Sequence, residues 1–321
     1  MFHKSFRLLL LVLGMLPAQF AAAADGSAGG SGERLDFSHA VLVTPSQLGR
    51  VEQKAVQVLR EEIQKRTGID LKRAAQWPDD ARCVIAVGLQ SAVKSFSGPF
   101  AAEFEKARIG SEGFALAVKR EPRAAVVLCA ADARGLLYGI GRLLRKMELS
   151  SGVIAVPAAL AIATAPAFPL RGHQLGYRPK VNAYDAWSEA QFDQYIRELA
   201  LFGANSIEIL PPRTDDQRTS PHFKLPPLDM MVRLAEIIDS YGLDVWIWYP
   251  NMGKDYVDDK AVQAELAQRD EIFRRLKRID HILVPGGDPG NLHPDVHFPW
   301  LGKMAGVLHK HHPRAKIWVS P

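Results

Sequence analysis

Short apolar runs and longer amphipathic segments alternate along the second half of the chain, and this alternation most constrains the fold. Strands are predicted for five short segments, most of them apolar, at 170–175, 206–210, 243–249, 282–284 and 316–319. Helices are predicted between them, at 188–202, 226–241, 262–276 and 300–311. Repeated strand–helix units of this kind imply a parallel sheet with right-handed crossovers.

The number of strands raises a question about the sheet. A closed barrel of alternating strands and helices needs eight strands, whereas about five can be counted before Pro321. A sheet that ended on an apolar strand would have an unpaired edge. Either the sequence is a fragment of a longer protein, the sheet is open, or a partner covers the edge. We favour a fragment, so the predicted class is α/β, with a (β/α)8-type barrel truncated after about five strands.

The first half of the chain has a different pattern. Strands predicted at 40–44, 83–87, 114–118 and 125–129 are combined with two amphipathic helices at 47–67 and 132–147. Such elements form a small α+β layer. We predict an accessory α+β domain at 35–150, a Pro- and Ala-containing linker at 151–169 and the barrel domain at 170–321.

The first residues have the composition of a secretory signal. Lys4 and Arg7 precede the apolar run 8–16, and three alanines at 22–24 offer a cleavage site. The run is too short to span a bilayer comfortably. We therefore predict a signal peptide at 1–24, a flexible leader at 25–34, and a periplasmic or extracellular protein with no membrane span after cleavage.

Charge and cysteine content restrict the partners and cofactors. The net charge of +5 is spread along the chain, which is not typical of nucleic-acid binding. The two cysteines, Cys83 and Cys129, lie in apolar runs, where they either form a disulfide or remain buried thiols. Histidines at 309–312 and 293–297 are weak metal candidates, and the prediction is no metal and no cofactor. The sequence does not indicate an oligomeric state.

One strand end carries a conspicuous polar residue. The apolar run 282–284 ends in Pro285, Gly286 and Gly287, which places Asp288 just beyond the carboxyl end of a strand. Active sites of (β/α) barrels are assembled at this end. The structural alternative is a tight turn in which Asp288 caps the next helix.

Four motifs resemble those of exported glycoside hydrolases, namely the family 20 β-N-acetylhexosaminidases and the related α-glucuronidases. They are 131–140, similar to the last helix of the accessory domain; 165–172, similar to the entry into barrel strand one; Thr214-Asp215-Asp216-Gln217, similar to a Thr-Asp-Asp-Gln loop; and Pro285-Gly286-Gly287-Asp288, similar to Gly-Gly-Asp-Glu. The strand-to-loop spacing before Thr214 is longer here. The resemblance implies a small α+β domain before a (β/α)8 barrel and a carbohydrate substrate.

The resemblance also implies roles for single residues, and one of them is missing. Arg171 corresponds to an arginine that binds sugar hydroxyls, and Asp288 to an aspartate that steadies the substrate's acetamido group. The adjacent glutamate, the general acid of those enzymes, is Pro289 here, which cannot donate a proton. Another carboxylate supplies the proton, the reaction differs, or the fold binds glycans without cleaving them.

Two further carboxylates are candidate acids. Glu208 lies inside an apolar strand, where desolvation would raise its pKa toward a value suited to acid catalysis. Asp215 lies in the loop that follows this strand. The predicted catalytic residues are therefore Asp288, Glu208 and Asp215.

Residues near the other strand ends are candidate substrate ligands. Arg171 and His173 share strand parity and are predicted to point into the barrel mouth, with a structural ion pair and a core histidine as the alternatives. Aromatic rings and an amide after strand three suit sugar stacking and hydrogen bonding. The predicted substrate-binding residues are Arg171, His173, Arg213, Trp248, Tyr249 and Asn251. The leading hypothesis is a glycoside hydrolase acting at the carboxyl-terminal face of the barrel, and the alternative is a non-catalytic glycan-binding or scaffold protein.

Overall fold

The structure, a computed structural model, describes residues 32–179, 183–217, 219–287 and 289–320. The predicted signal peptide, most of the predicted leader and Asp288 lie outside these residues. No helix within them is both long and apolar enough to cross a bilayer.

Two β-sheets and four α-helices form the first part of the chain. The six-stranded mixed sheet has the order β3-β2-β4-β6-β5-β9, and a three-stranded antiparallel sheet has the order β1-β8-β7. The strands are β1 (Arg34–Asp36), β2 (Val41–Val43), β3 (Arg73–Ala74), β4 (Cys83–Leu89), β5 (Phe114–Lys119), β6 (Ala124–Ala130), β7 (Glu148–Ser150), β8 (Val153–Pro157) and β9 (Ala161–Thr164). The helices are α1 (Arg50–Thr67), α2 (Val93–Phe96), α3 (Ala101–Glu105) and α4 (Ala133–Lys146).

The predicted linker at 151–169 is wrong over much of its length. Strand β8 pairs with both β1 and β7, and β9 pairs with β5 at the edge of the larger sheet. The Pro- and Ala-containing composition concealed these strands, because β8 has only two buried residues and β9 has none. The α+β layer therefore continues to Thr164.

The two cysteines do not form a disulfide. Cys83 and Cys129 lie on the neighbouring strands β4 and β6, but Cys83 is opposite Ala124 and Cys129 is opposite Gly88. This offset of five residues separates them by roughly 16 Å along the strands. They also pack into different cores on opposite faces of the sheet. Burial raises the pKa of the Cys83 thiol to about 11 and that of Cys129 to about 12.

The second part of the chain is a five-stranded, entirely parallel sheet with strands in sequential order. Its strands are β10 (Gly172–Leu175), β11 (Ser206–Ile209), β12 (Asp244–Trp248), β13 (His281–Pro285) and β14 (Lys316–Ser320). The intervening helices are α5 (Glu189–Leu201), α6 (Pro227–Ser240), α7 (Asp259–Arg275) and α8 (Pro294–His311). The predicted alternation is confirmed. Local signals fix the ends: Ser188 and Gln191 form a capping box at the start of α5.

The two faces of the parallel sheet differ in chemistry. The outer face carries the fully buried residues Ile207, Ile209, Val245, Ile247 and Ile282, which belong to the same core as the helices. The opposite face, called the inner face below, carries polar and aromatic side chains in register across the strands: Gln174, Glu208, Trp246 and His281. Alternate residues of a strand point to opposite faces, so the fold gathers the unusual residues of these strands on one surface.

A chain of alternating charges joins the two parts of the protein. The Arg171 guanidinium contacts the Glu112 carboxylate. The Arg134 guanidinium lies 3.0 Å from the Glu112 carboxylate and 2.5 Å from the Asp244 carboxylate. Arg278 then contacts Asp244 at 2.8 Å. Burial alone would raise the pKa of Glu112, but the guanidinium groups of Arg171 and Arg134 hold it below its usual value.

Helix α4 packs tightly against the end of α5 at Gly141. A Cβ atom added there would lie 2.1 Å from the backbone carbonyl oxygen of Leu201. We expect Gly141→Ala to lower the free energy of unfolding by at least about 2 kcal/mol, because two backbones must separate. Gly302→Ala in α8 is the control: nothing lies within 4 Å of the new atom, so it should stabilise by roughly 0.5–1 kcal/mol. Equal urea midpoints for the two variants would contradict this packing.

Candidate functional site

Arg171 does not lie at the carboxyl-terminal end of the sheet, and this part of the prediction is wrong. It immediately precedes Gly172, the first residue of β10, so it sits at the amino-terminal edge. Its guanidinium contacts Glu112 and donates at 2.7 Å to the Gly203 carbonyl. The structural ion pair that the sequence left open is the one observed. Arg171 holds the α+β layer against the sheet.

His173 also points away from the predicted site. Its register partner is Ile207, so it lies on the outer face against α5. Its Nε2 is 3.2 Å from the Tyr195 hydroxyl, and the two rings meet edge to face at 5.6 Å. The alternation of side chains along this strand was predicted correctly, but His173 was assigned to the wrong face of the sheet.

Glu208 lies on the inner face, in the middle of β11. Its carboxyl is half-buried, and the Gln174 side-chain amide donates to it at 2.8 Å. Among the described residues no ion pair reaches it. Burial raises the pKa of Glu208, and the amide of Gln174 offsets only part of this effect. The result is a carboxyl that holds its proton more tightly than an exposed glutamate does.

This pKa shift has a consequence for stability. The native state binds the Glu208 proton more tightly than the unfolded chain, so the stability it contributes is present at acid pH and is lost as the pH rises through the folded-state pKa. Glu208→Gln cannot ionise. Its free energy of unfolding should therefore rise relative to that of the wild type as the pH increases from about 4, the ordinary range of a glutamate, through the folded-state pKa. Urea titrations across this range test the expectation, with the exposed Glu271→Gln as control; parallel curves for wild type and Glu208→Gln would contradict it.

Aromatic rings continue the inner face beyond Glu208. The Trp246 indole stacks on the His281 ring at 4.2 Å, and Trp318 donates its Nε1–H to His281 Nδ1 at 2.9 Å. The Trp246 Nε1–H is buried and has no hydrogen-bond partner among the described residues. Trp246, Glu208 and Gln174 line a cavity of about 260 Å³ that extends from mid-sheet toward Gly172.

The loop after β11 contains the two aspartates of the Thr-Asp-Asp-Gln motif, in different environments. Asp215 is exposed, as a residue that contacts ligand from a loop can be. The Asp216 side chain is fully buried, and its carboxylate lies 3.2 Å from the Arg178 guanidinium that follows β10. Asp216 therefore links the loops after two neighbouring strands, a structural role that the sequence did not distinguish from that of Asp215.

Arg213, predicted to bind substrate, is part of a buried charge cluster. It contacts Glu265 at 2.5 Å, and Glu265 contacts the fully buried Arg269 at 2.7 Å. The Arg269 guanidinium lies between the Tyr249 ring at 4.4 Å and the Trp300 ring at 4.7 Å. The cluster supports the carboxyl-terminal ends of β11 and β12.

Two of the three remaining predicted substrate-binding residues, which lie at and just after the end of β12, are buried. Tyr249 is buried beneath Arg269, and burial raises its pKa to about 12. Asn251 is buried and accepts a hydrogen bond from Trp300 Nε1 at 2.8 Å. Both residues build the rim rather than offer an open face. Trp248, opposite Leu283 on the inner face, is half-buried and remains accessible.

The loop after β13 approaches the same rim. Gly290 has a φ of 122°, and a Cβ atom there would lie 3.0 Å from Asn251. Asp288 belongs to this loop but lies outside the described residues, so its role stays a prediction.

The described residues contain no group of three or more His, Cys, Asp or Glu side chains that could hold a metal ion. The candidate histidines have other contacts. His311 lies 2.8 Å from Asp270, His309 and His312 contact backbone carbonyls, and His293 pairs with Asp295.

Several residues of this region escaped the sequence analysis. Gln174, Arg178, Glu265, Arg269 and Trp300 carry much of its architecture. The sequence did contain a signal for Gln174. Like Glu208, it is a polar residue within a predicted strand, and the alternation of side chains places the two residues on the same face. Glu265 and Arg269 have the i, i+4 spacing of a helical ion pair, but their other partners, Arg213, Tyr249 and Trp300, are brought to them only by the tertiary fold.

Comparison with known proteins gives similarity in fold alone. No family model and no curated protein matches the sequence. Among solved structures, the family 20 β-N-acetylhexosaminidase of Streptomyces coelicolor A3(2) has a TM-score of 0.66 at 12% identity, covering 91% of this chain and 63% of that chain. The chitobiase of Flavobacterium johnsoniae has a TM-score of 0.63 at 13% identity, and the alignment covers 89% of this chain and 51% of that chain.

A third similar structure comes from another glycosidase family. A family GH115 4-O-methyl-α-glucuronidase has a TM-score of 0.58 at 14% identity, covering 88% of this chain and 42% of that chain. The present chain thus spans less than two thirds of the length of each of these proteins. The predicted resemblance in fold to glycoside hydrolases is confirmed.

Proposed function

We propose that the chain is a carbohydrate-active protein that hydrolyses a glycoside on the inner face of its parallel sheet, in a site that extends from the cavity beside Glu208 at mid-sheet to the carboxyl ends of the strands. The substrate class is taken from the structural neighbours, which are named as a hexosaminidase, a chitobiase and a glucuronidase. The partial (β/α) barrel, with its site at the carboxyl-terminal face, is part of the same proposal.

The cavity beside Glu208 is the observation that carries this proposal. It brings together a carboxyl with a raised pKa, the amide of Gln174 and the buried N–H of Trp246, which no other described residue accepts. Sugars present hydroxyl groups that both donate and accept, and apolar C–H faces that pack on aromatic rings. A protonated carboxyl can in addition donate to a glycosidic oxygen as the bond breaks.

In this proposal Glu208 replaces the general acid whose motif position is Pro289. Asp288 orients the substrate, as the motif resemblance implies, and Asp215 is the second candidate carboxylate. Trp248 offers the accessible aromatic surface at the strand ends. Arg171 and His173 take no part, since both are held by other contacts.

A non-catalytic glycan-binding protein is the second candidate, because Pro289 occupies the position of the acid in the resembling motif. A panel of 4-methylumbelliferyl glycosides separates the two functions. Hydrolysis of one member that is lost in Asp288→Asn supports the enzyme. Retention on immobilised glycans without turnover supports the binder. Neither turnover nor retention would refute both.

We also propose that the protein is exported, on the basis of the basic and apolar segments of residues 1–24. Detection of a mature amino terminus near residue 25 after expression with its leader would support this, and an uncleaved intracellular chain would contradict it.

A further inference from the structure

Aromatic rings lead across the inner face from the cavity beside Glu208 to strand β14. Trp246 lines the cavity, and its indole stacks on the His281 ring with centroids 4.2 Å apart and planes 28° from parallel. The Trp318 ring lies 5.5 Å from the Trp246 ring. The rings of Trp246, His281 and Trp318, from three neighbouring strands, thus form one continuous surface, called the aromatic row below.

Trp318 is the accessible end of the aromatic row. It is 48% exposed, whereas Trp246 at the cavity is only 8% exposed. An exposed indole face offers apolar surface on which the C–H face of a sugar ring can pack. The row therefore extends the cavity with a surface of the kind that carbohydrate ligands use.

His281 holds the Trp318 ring in place. The Trp318 Nε1–H donates to His281 Nδ1 at 2.9 Å, and the two rings meet edge to face with centroids 6.0 Å apart. Burial lowers the pKa of His281 more than Asp244 and Asp280 raise it, so the imidazole is neutral at neutral pH and Nδ1 can accept. A ligand that packs on Trp318 meets a ring whose orientation is already fixed, which reduces the entropy lost on binding.

The position of Trp318 relative to Glu208 suits a chain of sugars. Two strands separate β11 from β14, so the backbones that carry the two residues are roughly 14 Å apart. Trp246 lies on a strand between them. A sugar ring placed beside Glu208 and Trp246 therefore leaves Trp318 available to the next ring of a linked glycan.

We propose that the site takes a glycan of at least three linked sugars, with the cleaved bond beside Glu208, one ring beside Trp246 and the next ring on the exposed face of Trp318. This inference rests on the proposed function, because it lengthens the same site. Trp318 is a binding residue and takes no part in proton transfer. The aromatic row suits a glycan better than a purely apolar partner, because it begins at a cavity in which Gln174 and Glu208 can bind hydroxyl groups.

The dependence of activity on chain length tests this proposal. The di-, tri- and tetrasaccharides of the sugar identified by the glycoside panel are compared by kcat/KM, or by Kd if the protein binds without turnover. We expect the tetrasaccharide to be preferred to the disaccharide by about tenfold, the scale of one aromatic contact. Trp318→Ala should bring this ratio close to unity. The control Phe168→Ala, which removes an exposed ring of the segment before β10, should leave the ratio at its wild-type value.

An NMR titration gives a second test that needs no substitution at Trp318. In Glu208→Gln protein, the Trp318 indole signal should shift on saturation with the tetrasaccharide and should stay in place with the monosaccharide. Equal preference of the wild type for di- and tetrasaccharide, an unchanged ratio in folded Trp318→Ala, or a Trp318 signal that does not move would overturn the proposal. Hydrolysis of aryl glycosides would then still support the proposed function. If no glycan is cleaved or retained, both are refuted.

Discussion

Glu208→Gln is expected to reduce hydrolysis of a glycoside with a poor leaving group by about 10²- to 10⁴-fold, the usual contribution of general acid catalysis. The glutamine side chain keeps the shape of the carboxyl and can still accept from Gln174, so the fold and the cavity should remain. It cannot release a proton to the leaving oxygen. The measurement is kcat/KM for an alkyl or disaccharide substrate of the sugar identified by the glycoside panel.

The leaving group provides an internal control for this variant. A 2,4-dinitrophenyl glycoside of the same sugar needs little protonation as its bond breaks, so Glu208→Gln should retain most of the activity toward it. Asp288→Asn should instead impair both substrates, because orientation of the sugar precedes either reaction. Glu271→Gln, an exposed carboxyl of α7, should impair neither. Equal losses on both substrates in Glu208→Gln would show that Glu208 is not the acid.

The pH dependence of the wild type follows from the same carboxyl. Burial raises the pKa of Glu208 above its ordinary value, and only the protonated form can act as an acid. Activity should therefore fall as the pH rises through this pKa, and the fall should be absent with the dinitrophenyl substrate.

Arg269→Ala is expected to lower the free energy of unfolding by about 3–5 kcal/mol, as loss of one partner of a buried ion pair does. Arg269 is fully buried, and its side chain fills the space between Tyr249 and Trp300. The substitution removes both ring contacts and leaves Glu265 with Arg213 alone. Because Trp300 holds Asn251, the rim after β12 should loosen as well.

Arg274→Ala is the matched control, since Arg274 is exposed on the same helix. It should change stability by no more than about 0.5 kcal/mol. Arg269→Lys, which keeps the charge but not the planar contact with the rings, should fall between the two. Urea unfolding measures all three variants, and an Arg269→Ala midpoint equal to that of Arg274→Ala would contradict the role given to this cluster.

Local sequence patterns predicted the elements of this fold better than their contacts. The alternation of apolar runs and amphipathic segments predicted all five parallel strands, because a strand buried on its outer face must repeat apolar residues. The strands at Val153–Pro157 and Ala161–Thr164 were missed because they are short and have few buried side chains. Their pairing depends on β1 and β5, which lie far away in the sequence.

For the candidate site as well, the sequence indicated an unusual residue but not the contacts that other residues make. Glu208 could be identified from sequence, because a charge within an apolar strand is unusual wherever the strand lies. Arg171 could not be assigned, because its partner Glu112 is 59 residues away and belongs to the other layer. Arg213 and Glu265 are similarly separated by 52 residues. Periodicity gives the spacing of side chains along a strand, but only packing decides which face is open.

The most direct test of the account is the position at which a glycan contacts the protein. The chain has six tryptophans, whose indole ¹H–¹⁵N signals can be followed by NMR in Glu208→Gln protein, where turnover of a natural glycan is expected to be slow. On titration with the glycan that the wild type hydrolyses or retains, the signals of Trp246 and Trp248 should shift, while that of Trp77 in the α+β layer should not. Shifts confined to Trp77, or no indole shift at saturating glycan, would contradict a carbohydrate site on the inner face.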